Sequence, residues 1–147
     1  MKRILCFDYG EKRTGIAVSD NSHIIASPFK TILTVDIFNF IKDFLSKEEV
    51  FCLVFGLPKN LDNTNSNITD KVIDCVDKIK NRFADIPVYF EDERYTSKMA
   101  KNTILMSGVS KSKRRNKENI DKVSACLILQ SFLSRKDNNK KKQTFAQ

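Results

Sequence analysis

Short runs of apolar residues, each closed by a glycine, a proline or an acid, predict strands along the first third of the chain. Ile4–Phe7 is such a run, and it ends at Asp8. A glycine turn follows, and a second apolar run begins after Gly15. This spacing predicts a β-hairpin whose first strand is buried on both faces. A third short strand is predicted at Ile24–Ser27, with Pro28 limiting it.

Two further apolar runs, Val50–Phe55 and Ile86–Phe90, predict buried strands. The segments between and after them have apolar residues three or four positions apart, which is the periodicity of helices. Helices are predicted at Val35–Ser46, at Ile68–Phe83, from Thr96 or Ser97 to Gly108, and from Asn119 to Arg135. The resulting order, βββαβαβαα, is typical of an α/β domain. We expect a mixed five-stranded sheet flanked by helices, in which strands one, four and five run parallel.

Acidic residues follow two of the predicted parallel strands. Asp8 ends strand one, and the pair Asp92 and Glu93 ends strand five, so these carboxylates should emerge at one edge of the sheet. Asp121 lies in the first turn of the last helix. Three carboxylates from three elements suit two hard cations ~3.5–4 Å apart, which can hydrolyse a phosphodiester. Acids are also common in turns and at helix starts, so the spacing alone leaves both interpretations open.

Composition limits the class of protein. The 147 residues are 41% hydrophobic, which is enough for one domain with its own core. No apolar run approaches the ~20 residues of a membrane span, and the N-terminus has no signal-peptide pattern. We therefore expect a cytoplasmic protein without a membrane partner. The four cysteines lie in apolar segments without a CxxC spacing, which favours buried thiols over a zinc site.

The net charge of +8 is concentrated in two segments. Residues 111–117 contain five basic residues and no acid, and residues 135–147 contain five basic residues and one acid. Such asymmetry indicates a polyanionic partner approached from one side. We expect residues 136–147 to form a flexible, solvated tail after a domain at residues 1–135. The loop 111–117 precedes Asp121, which favours a role beside the acids.

Four segments of the chain, in order, resemble the YqgF family, also called the RuvX or pre-16S ribosomal RNA nuclease family. They read FDYGEKRTGIAVSD, VFGLPKNLDN, EDERYTSKMA and NIDKVSACLILQSFL, and the resemblance extends from about Ile4 to Phe132. The family combines a D-x-G-x-K-R-x-G-x-A hairpin, a G-L-P-x-N-x-D-G loop, a D-E-R-x-T-T segment and a D-x-x-A-A helix start. Asn63, Ser97 and Ser124 depart from this pattern, and none of the three removes a proposed metal ligand.

The resemblance implies a ribonuclease H-like fold, shared with the junction resolvase RuvC, with strand order 3-2-1-4-5. It implies that Asp8, Glu93 and Asp121 are the catalytic, metal-binding acids and that the cofactor is Mg²⁺ or Mn²⁺. Asp92 is a further candidate ligand, but consecutive strand residues point to opposite faces, so only one of the pair should face the metals. Nucleic-acid contacts are expected from the basic residues of the hairpin, the D-E-R segment and the loop, namely Lys12, Arg13, Arg94, Lys111, Lys113, Arg114, Arg115 and Lys117.

The resemblance also implies the reaction. We expect a hydrolase of phosphodiester bonds, an endonuclease that processes the 5′ end of precursor 16S ribosomal RNA in ribosome biogenesis. Its partner would be structured precursor RNA or a ribosomal particle, and the protein a monomer or weak dimer. The alternatives are a Holliday junction resolvase-like DNA nuclease, which would cut as a dimer, and a non-catalytic RNA- or ribosome-binding module. A sugar kinase or actin-like ATPase also begins with a D-x-G hairpin, but it needs a second comparable domain.

Overall fold

Five strands form one mixed sheet in the computed structural model, which describes residues 2–58, 66–92 and 123–135. Their order is β3-β2-β1-β4-β5, and β1 pairs antiparallel with β2 and parallel with β4. β2 pairs antiparallel with β3, and β4 pairs parallel with β5. These pairings confirm the predicted sheet and its strand order. The strands are β1 (Arg3–Asp8), β2 (Arg13–Ser19), β3 (Ala26–Leu33), β4 (Val50–Leu57) and β5 (Val88–Asp92).

Helices follow the strands as the periodicity predicted. A 3₁₀ turn at Thr34–Asp36 leads into α1 (Ile37–Lys47), and α2 extends over Asn67–Arg82. The start of α2 is fixed by a capping box, in which the Ser66 side chain accepts from the Thr69 backbone N–H and the Thr69 side chain accepts from that of Ser66. The last described helix, here α3, covers residues 123–135.

The helices divide the core between the two faces of the sheet. On the α1–α2 face, one cluster joins Leu5, Phe7, Leu53 and Phe55 to buried residues of α1 and α2. On the opposite α3 face, Ile4, Cys6, Ala17, Cys52 and Val54 pack against Ala125, Ile128, Leu129 and Leu133. Side chains alternate between the faces of a strand, so a residue's position in β1 or β4 decides which helices it meets.

The end predicted for the third strand is wrong. Pro28 was expected to limit that strand, but β3 continues through it to Leu33. Pro28 pairs with Ala17 at an irregularity, since the register of β2 and β3 shifts between Ile16 and Ala17. β3 is the edge strand of the sheet, and a proline that cannot donate a hydrogen bond is tolerated at an edge or a bulge.

β5 is less buried than predicted. It lies at the other end of the sheet, where Tyr89 is 47% exposed and only Glu91 of its five residues is buried. The strand also starts and ends two residues later than the apolar run suggested. An apolar run of this length cannot by itself distinguish a central strand from an edge strand.

Several predicted features lie outside the described residues. They are the helix expected after Thr96, the loop at residues 111–117, the start of the last helix and the tail at residues 136–147. All four cysteines lie within the described residues, and Cys6, Cys52 and Cys75 are buried as predicted. Among the helices that the structure describes, none is long and apolar enough to cross a membrane.

Phe55 gives a direct test of this core assignment. Its side chain is fully buried and stacks on Phe7 with ring centroids 4.8 Å apart, whereas Phe51 on the same strand is 43% exposed. We expect Phe55→Ala to lower the free energy of unfolding by about 3–5 kcal/mol, because it leaves a cavity between the sheet and its helices. Phe51→Ala should cost less than about 1.5 kcal/mol. Urea denaturation of both variants measures the difference, and equal losses would contradict the assignment.

Candidate functional site at the end of the central strand

Asp8 ends the central strand and lies on the α3 face. Cys6, two residues earlier, packs on that face, while Phe7 packs on the other. Asp8 pairs with Gly15 of β2, and it follows the pair of Phe7 with Phe55, so Gly56 is its neighbour on β4. A glycine on each neighbouring strand contributes no side chain beside the partly exposed Asp8. The carboxylate is therefore presented at the sheet edge where ligands of such folds bind.

The surroundings of Asp8 suit one ligand of a hard cation. Carboxylate oxygens are the ligands that Mg²⁺ prefers, and the flanking Gly15 and Gly56 add no side chain of their own beside Asp8. Within residues 2–58, 66–92 and 123–135, no three His, Cys, Asp or Glu side chains form a group that could hold a metal. The other predicted ligands, Glu93 and Asp121, lie outside those residues. Asp8 can therefore serve as one metal ligand. The other two predicted ligands lie outside the residues that the structure describes.

Asp92 lies on the other side of the sheet from Asp8. It is the last residue of β5 and pairs with Leu57 of β4. Phe90, two residues earlier, packs with Leu57 in the cluster of the α1–α2 face. Strand alternation therefore directs Asp92 towards that face. This weighs against Asp92 as a ligand of a metal held by Asp8, in line with the expectation that only one of the two adjacent acids faces the metals.

The basic hairpin lies next to Asp8. Lys12 and Arg13 are both exposed. Arg13 starts β2 two residues before Gly15, so it lies on the same face as Asp8 and just beyond it along the strand. The Lys12 backbone is fixed, because its carbonyl accepts a 2.9 Å hydrogen bond from the Thr34 N–H. The structure thus brings two of the predicted phosphate-binding residues to the edge that carries the acid.

Glu11 does not act as a lone negative charge among these cations. Its carboxylate accepts a 2.8 Å hydrogen bond from Lys71 of α2, which forms an exposed ion pair. The hydrogen bond and charge of Lys71 hold the pKa of Glu11 below its ordinary value, and Glu11 in turn raises the pKa of Lys71. An exposed pair adds little to stability. Its effect is to connect the hairpin turn to α2 and to offset the negative charge beside Lys12 and Arg13.

Threonine hydroxyls hold the hairpin turn, and no pattern in the sequence predicted this role. The Thr34 hydroxyl donates to the Gly10 carbonyl at 2.6 Å and lies 2.9 Å from the Thr14 hydroxyl. Since the single proton of Thr34 is used on Gly10, the fully buried Thr14 is the donor between the two threonines. The turn is tight, because a Cβ at Gly10 would meet the Arg13 carbonyl oxygen at 2.4 Å.

A second unanticipated residue is Glu91, a buried acid on the α3 face of β5. Its side chain is 3% exposed, it accepts a 3.2 Å hydrogen bond from the Ser131 hydroxyl, and it forms an ion pair with Arg135. Burial raises the pKa of Glu91, while the charge and hydrogen bond of Arg135 and the hydrogen bond of Ser131 act in the opposite direction. Ser131 and Arg135 lie 40 and 44 residues beyond Glu91 in the sequence. No spacing rule relates residues so far apart, so only the folded structure identifies these contacts.

The remaining predicted contacts with nucleic acid lie outside the described residues. They are Arg94, Lys111, Lys113, Arg114, Arg115 and Lys117. Of the predicted site, the structure therefore describes the part contributed by β1, the hairpin and Asp92.

The sequence resembles a large set of bacterial proteins along almost its whole length. A sequence profile named RuvX and described as Holliday junction resolvase matches residues 2–135. A protein of Flavobacterium psychrophilum is 44% identical over 136 residues, which cover 92% of this chain and 99% of the relative. One from Bacteroides thetaiotaomicron is 43% identical with the same coverage. Both carry the name "Putative pre-16S rRNA nuclease".

Solved structures with the same fold are more distant in sequence. Thermus thermophilus RuvC, solved with a Holliday junction substrate, superposes with a TM-score of 0.58 at 13% identity and covers 93% of this chain and 97% of its own. Fowlpox virus resolvase, solved with Holliday junction DNA, has a TM-score of 0.56 at 12% identity, over 90% of this chain and 97% of its own. At this identity the likeness establishes the fold alone, and it confirms the predicted ribonuclease H-like class.

The threonine network gives a prediction for the hairpin turn. Thr34→Val removes the acceptor of the buried Thr14 hydroxyl and the donor to Gly10, so we expect the free energy of unfolding to fall by about 1–3 kcal/mol. Thr34→Ser keeps the hydroxyl and should cost less than about 1 kcal/mol. The loss in the double variant Thr14→Val/Thr34→Val should be smaller than the sum of the two single losses, since no hydroxyl is left without its partner. Chemical denaturation of the wild type, the two single Val variants and the double variant measures this coupling, and strict additivity would refute it.

Proposed function

The chain belongs to the RuvX family, and from that premise we propose that it is a metal-dependent endonuclease that processes the 5′ end of precursor 16S ribosomal RNA. The observation that carries the proposal is the placement of Asp8. A carboxylate ends the buried central strand at the ligand-binding edge of the sheet, between two glycines and beside the basic hairpin. A residue that only capped the turn would not require a glycine on each neighbouring strand or a basic hairpin beside it. The proposal makes the protein a cytoplasmic partner of ribosomal precursors.

Asp8, Glu93 and Asp121 would hold the metal ions in this proposal. Asp8 has the donor chemistry and the position for that role, and strand alternation in β5 supports Glu93 over Asp92 as the second ligand. Bound Mg²⁺ or Mn²⁺ would supply an activated water and charge stabilisation at the leaving oxygen. In the sequence, Glu93 directly follows β5 and Asp121 precedes α3, so the fold itself would have to bring the three acids together.

The hairpin would contact the phosphate backbone of the substrate. Lys12 and Arg13 are exposed, and Arg13 lies on the same face as Asp8. Arg13 can hold a phosphate through two parallel hydrogen bonds, whereas Lys12 offers a point charge. The ion pair of Glu11 with Lys71 and the hydrogen bonds of Thr34 keep this turn in place. These contacts would orient the scissile phosphate over the acids, and they would not select for a particular base.

Recognition of the RNA would then depend on its backbone and shape. The basic loop at residues 111–117 precedes Asp121 and has no aromatic side chain on which a base could stack. Arg94 and the five basic residues of that loop would neutralise phosphates at the rim of the site. Specificity would come from the fold of the precursor RNA or from a ribosomal particle, in keeping with how structured RNA is read.

A DNA junction is the competing substrate, because the family description names Holliday junction resolvase. Resolvases cut two strands symmetrically and therefore act as dimers, whereas RNA processing needs one active site. A non-catalytic RNA-binding module is the competing class of function. The substrate panel below separates the three.

Replacing the central acid tests the catalytic assignment. We expect Asp8→Asn to lower metal-dependent cleavage of precursor 16S RNA at least about a hundredfold, since even residues that only orient metal ligands contribute 10–100-fold. RNA affinity and the thermal unfolding midpoint should persist. Cleavage is measured in Mg²⁺ and in Mn²⁺ on precursor RNA, single-stranded RNA and four-way DNA junctions. Asp43→Asn is the matched control, because it makes the same change at an exposed position of α1.

Each outcome of that assay assigns one function. Cleavage of precursor RNA by the wild type and the control, but not by Asp8→Asn, supports the proposal. Preferential cleavage of junctions by a dimer would make the protein a resolvase. RNA binding without cleavage of any substrate by the wild type would leave a binding module. Equal cleavage by the wild type and Asp8→Asn would refute the catalytic role of Asp8.

The basic loop has its own test. Replacing Lys113, Arg114 and Arg115 with Ala should weaken RNA binding and reduce the slope of log affinity against log salt by about 2–3, because each lost phosphate contact removes about 0.7–0.9 of a unit. The matched control replaces exposed lysines of α1 and α2, namely Lys42, Lys47 and Lys80, with Ala, which makes the same change in net charge. An equal slope in both triple variants would show that the loop acts only through net charge.

A further inference from the structure

Glu91 connects the end of β5 to α3 through polar contacts. Its side chain is 3% exposed, the Ser131 hydroxyl donates to Oε1 at 3.2 Å, and the Arg135 guanidinium donates to Oε2. Both partners lie on α3, about 40 residues further along the chain. The neighbouring contact between the same two elements is apolar, with the Tyr89 and Phe132 rings 5.9 Å apart.

The opposite flank of α3 is also fixed by hydrogen bonds. The Ala26 N–H donates to Gln130 Oε1 at 3.2 Å, and Gln130 Nε2 donates to the Ile24 carbonyl at 3.3 Å. Cys126 Sγ donates to the Ala26 carbonyl at 3.3 Å. At about 100° per residue, positions 126 and 130 lie roughly 140° around the helix from positions 131 and 135. The apolar stripe of α3 packs on the sheet, and polar contacts hold the helix from both sides.

Stability does not explain why a carboxylate is placed here. Taking a charge out of water is costly, and replacing a buried ion pair with apolar side chains is often neutral or stabilising. The apolar stripe of α3 determines which face of the helix meets the sheet, but apolar packing is less directional than a hydrogen bond. Hydrogen bonds on both flanks therefore define the exact rotation of the helix. What Glu91 contributes is therefore the orientation of α3 relative to β5.

That orientation matters for the proposed metal site. β5 ends at Asp92, so the next residue of the chain is Glu93. The sequence pattern puts Asp121 four positions before Ala125 and seven before Ile128, both of which face the sheet. Glu91 thus links β5, which precedes the predicted ligand Glu93, to α3, which follows the predicted ligand Asp121.

We propose that Glu91 is a positioning residue that sets the rotation of α3 against β5, and with it the geometry in which the metal ions are held. The inference rests on the function proposed above. It assigns Glu91 no contact with substrate or metal, because its carboxylate is engaged by Ser131 and Arg135.

Glu91→Leu separates positioning from stability. Arg135 is 59% exposed, so this variant leaves no buried charge without a partner, and its Tm should stay within about 3 °C of the wild type. The Mg²⁺ concentration for half-maximal cleavage should rise at least about tenfold, as for residues that orient metal ligands, with the KM for RNA nearly unchanged. The rise in Tm caused by Mg²⁺ without RNA should shrink in parallel. Tyr89→Leu is the control, since it alters the apolar contact of the same strand and helix and should leave the Mg²⁺ requirement unchanged.

The outcomes distinguish this inference from the proposed function. If the wild type cleaves RNA and Glu91→Leu keeps its Mg²⁺ requirement, the inference is wrong and the function stands. If the wild type cleaves nothing, the function fails, and the Mg²⁺-induced shift in Tm decides the inference. Loss of the Mg²⁺-induced Tm shift in Glu91→Leu, but not in the wild type or Tyr89→Leu, supports the inference. Equal shifts in all three proteins, or no shift in any of them, overturn the inference. Should Glu91→Leu lose more than about 3 °C in Tm, Ser131→Ala takes its place with the same readouts, because it removes one of the two hydrogen bonds and leaves Glu91 paired with Arg135.

Discussion

The central position of β1 determines where every other functional group lies. The strand is hydrogen-bonded to β2 on one side and β4 on the other, and helices cover both of its faces. Ile4 to Phe7 are consequently fully buried, and their alternation between the two cores cannot slip by one residue without exposing the whole set. Because Phe7 is fixed on the α1–α2 face, Asp8 is fixed on the α3 face. A single apolar strand thus places one carboxylate with high precision at the edge of the sheet.

The surroundings of Asp8 combine small residues with a hairpin backbone held by hydrogen bonds. Gly15 and Gly56 carry no side chains next to it, and the hairpin that presents Lys12 and Arg13 is held by Thr34 and by the ion pair of Glu11 with Lys71. A site that binds a phosphate between metal ions and cations needs both features, since the phosphate requires space and the charged groups require fixed positions. The hydrogen bonds made by the buried Thr14 and the partly buried Thr34 are stronger determinants of this geometry than the exposed ion pair.

Sequence reasoning could predict the parts of this structure that depend on local patterns. The apolar runs of β1 and β4, the helical stripes of α1 and α2 and the strand order all follow from periodicity, topology rules and the family resemblance. The extent of β3 could not be predicted, because a proline is tolerated only if its strand lies at an edge, and the edge is a property of the whole sheet. Asp8 was identified because it interrupts an apolar run. Glu91 and Thr34 were missed because their partners are distant in sequence, at Arg135 and at Gly10.

We propose that Asp8, Glu93 and Asp121 converge on one divalent-metal site, and crystals of the protein soaked in Mn²⁺ would show whether they do. Anomalous scattering locates the ion independently of any assumption about its ligands. We expect a peak about 2.1 Å from the Asp8 carboxylate, on the α3 face, with carboxylate oxygens of Glu93 and Asp121 in the same coordination sphere. A peak bound elsewhere, or an Asp8 carboxylate without a metal at saturating Mn²⁺, would contradict it.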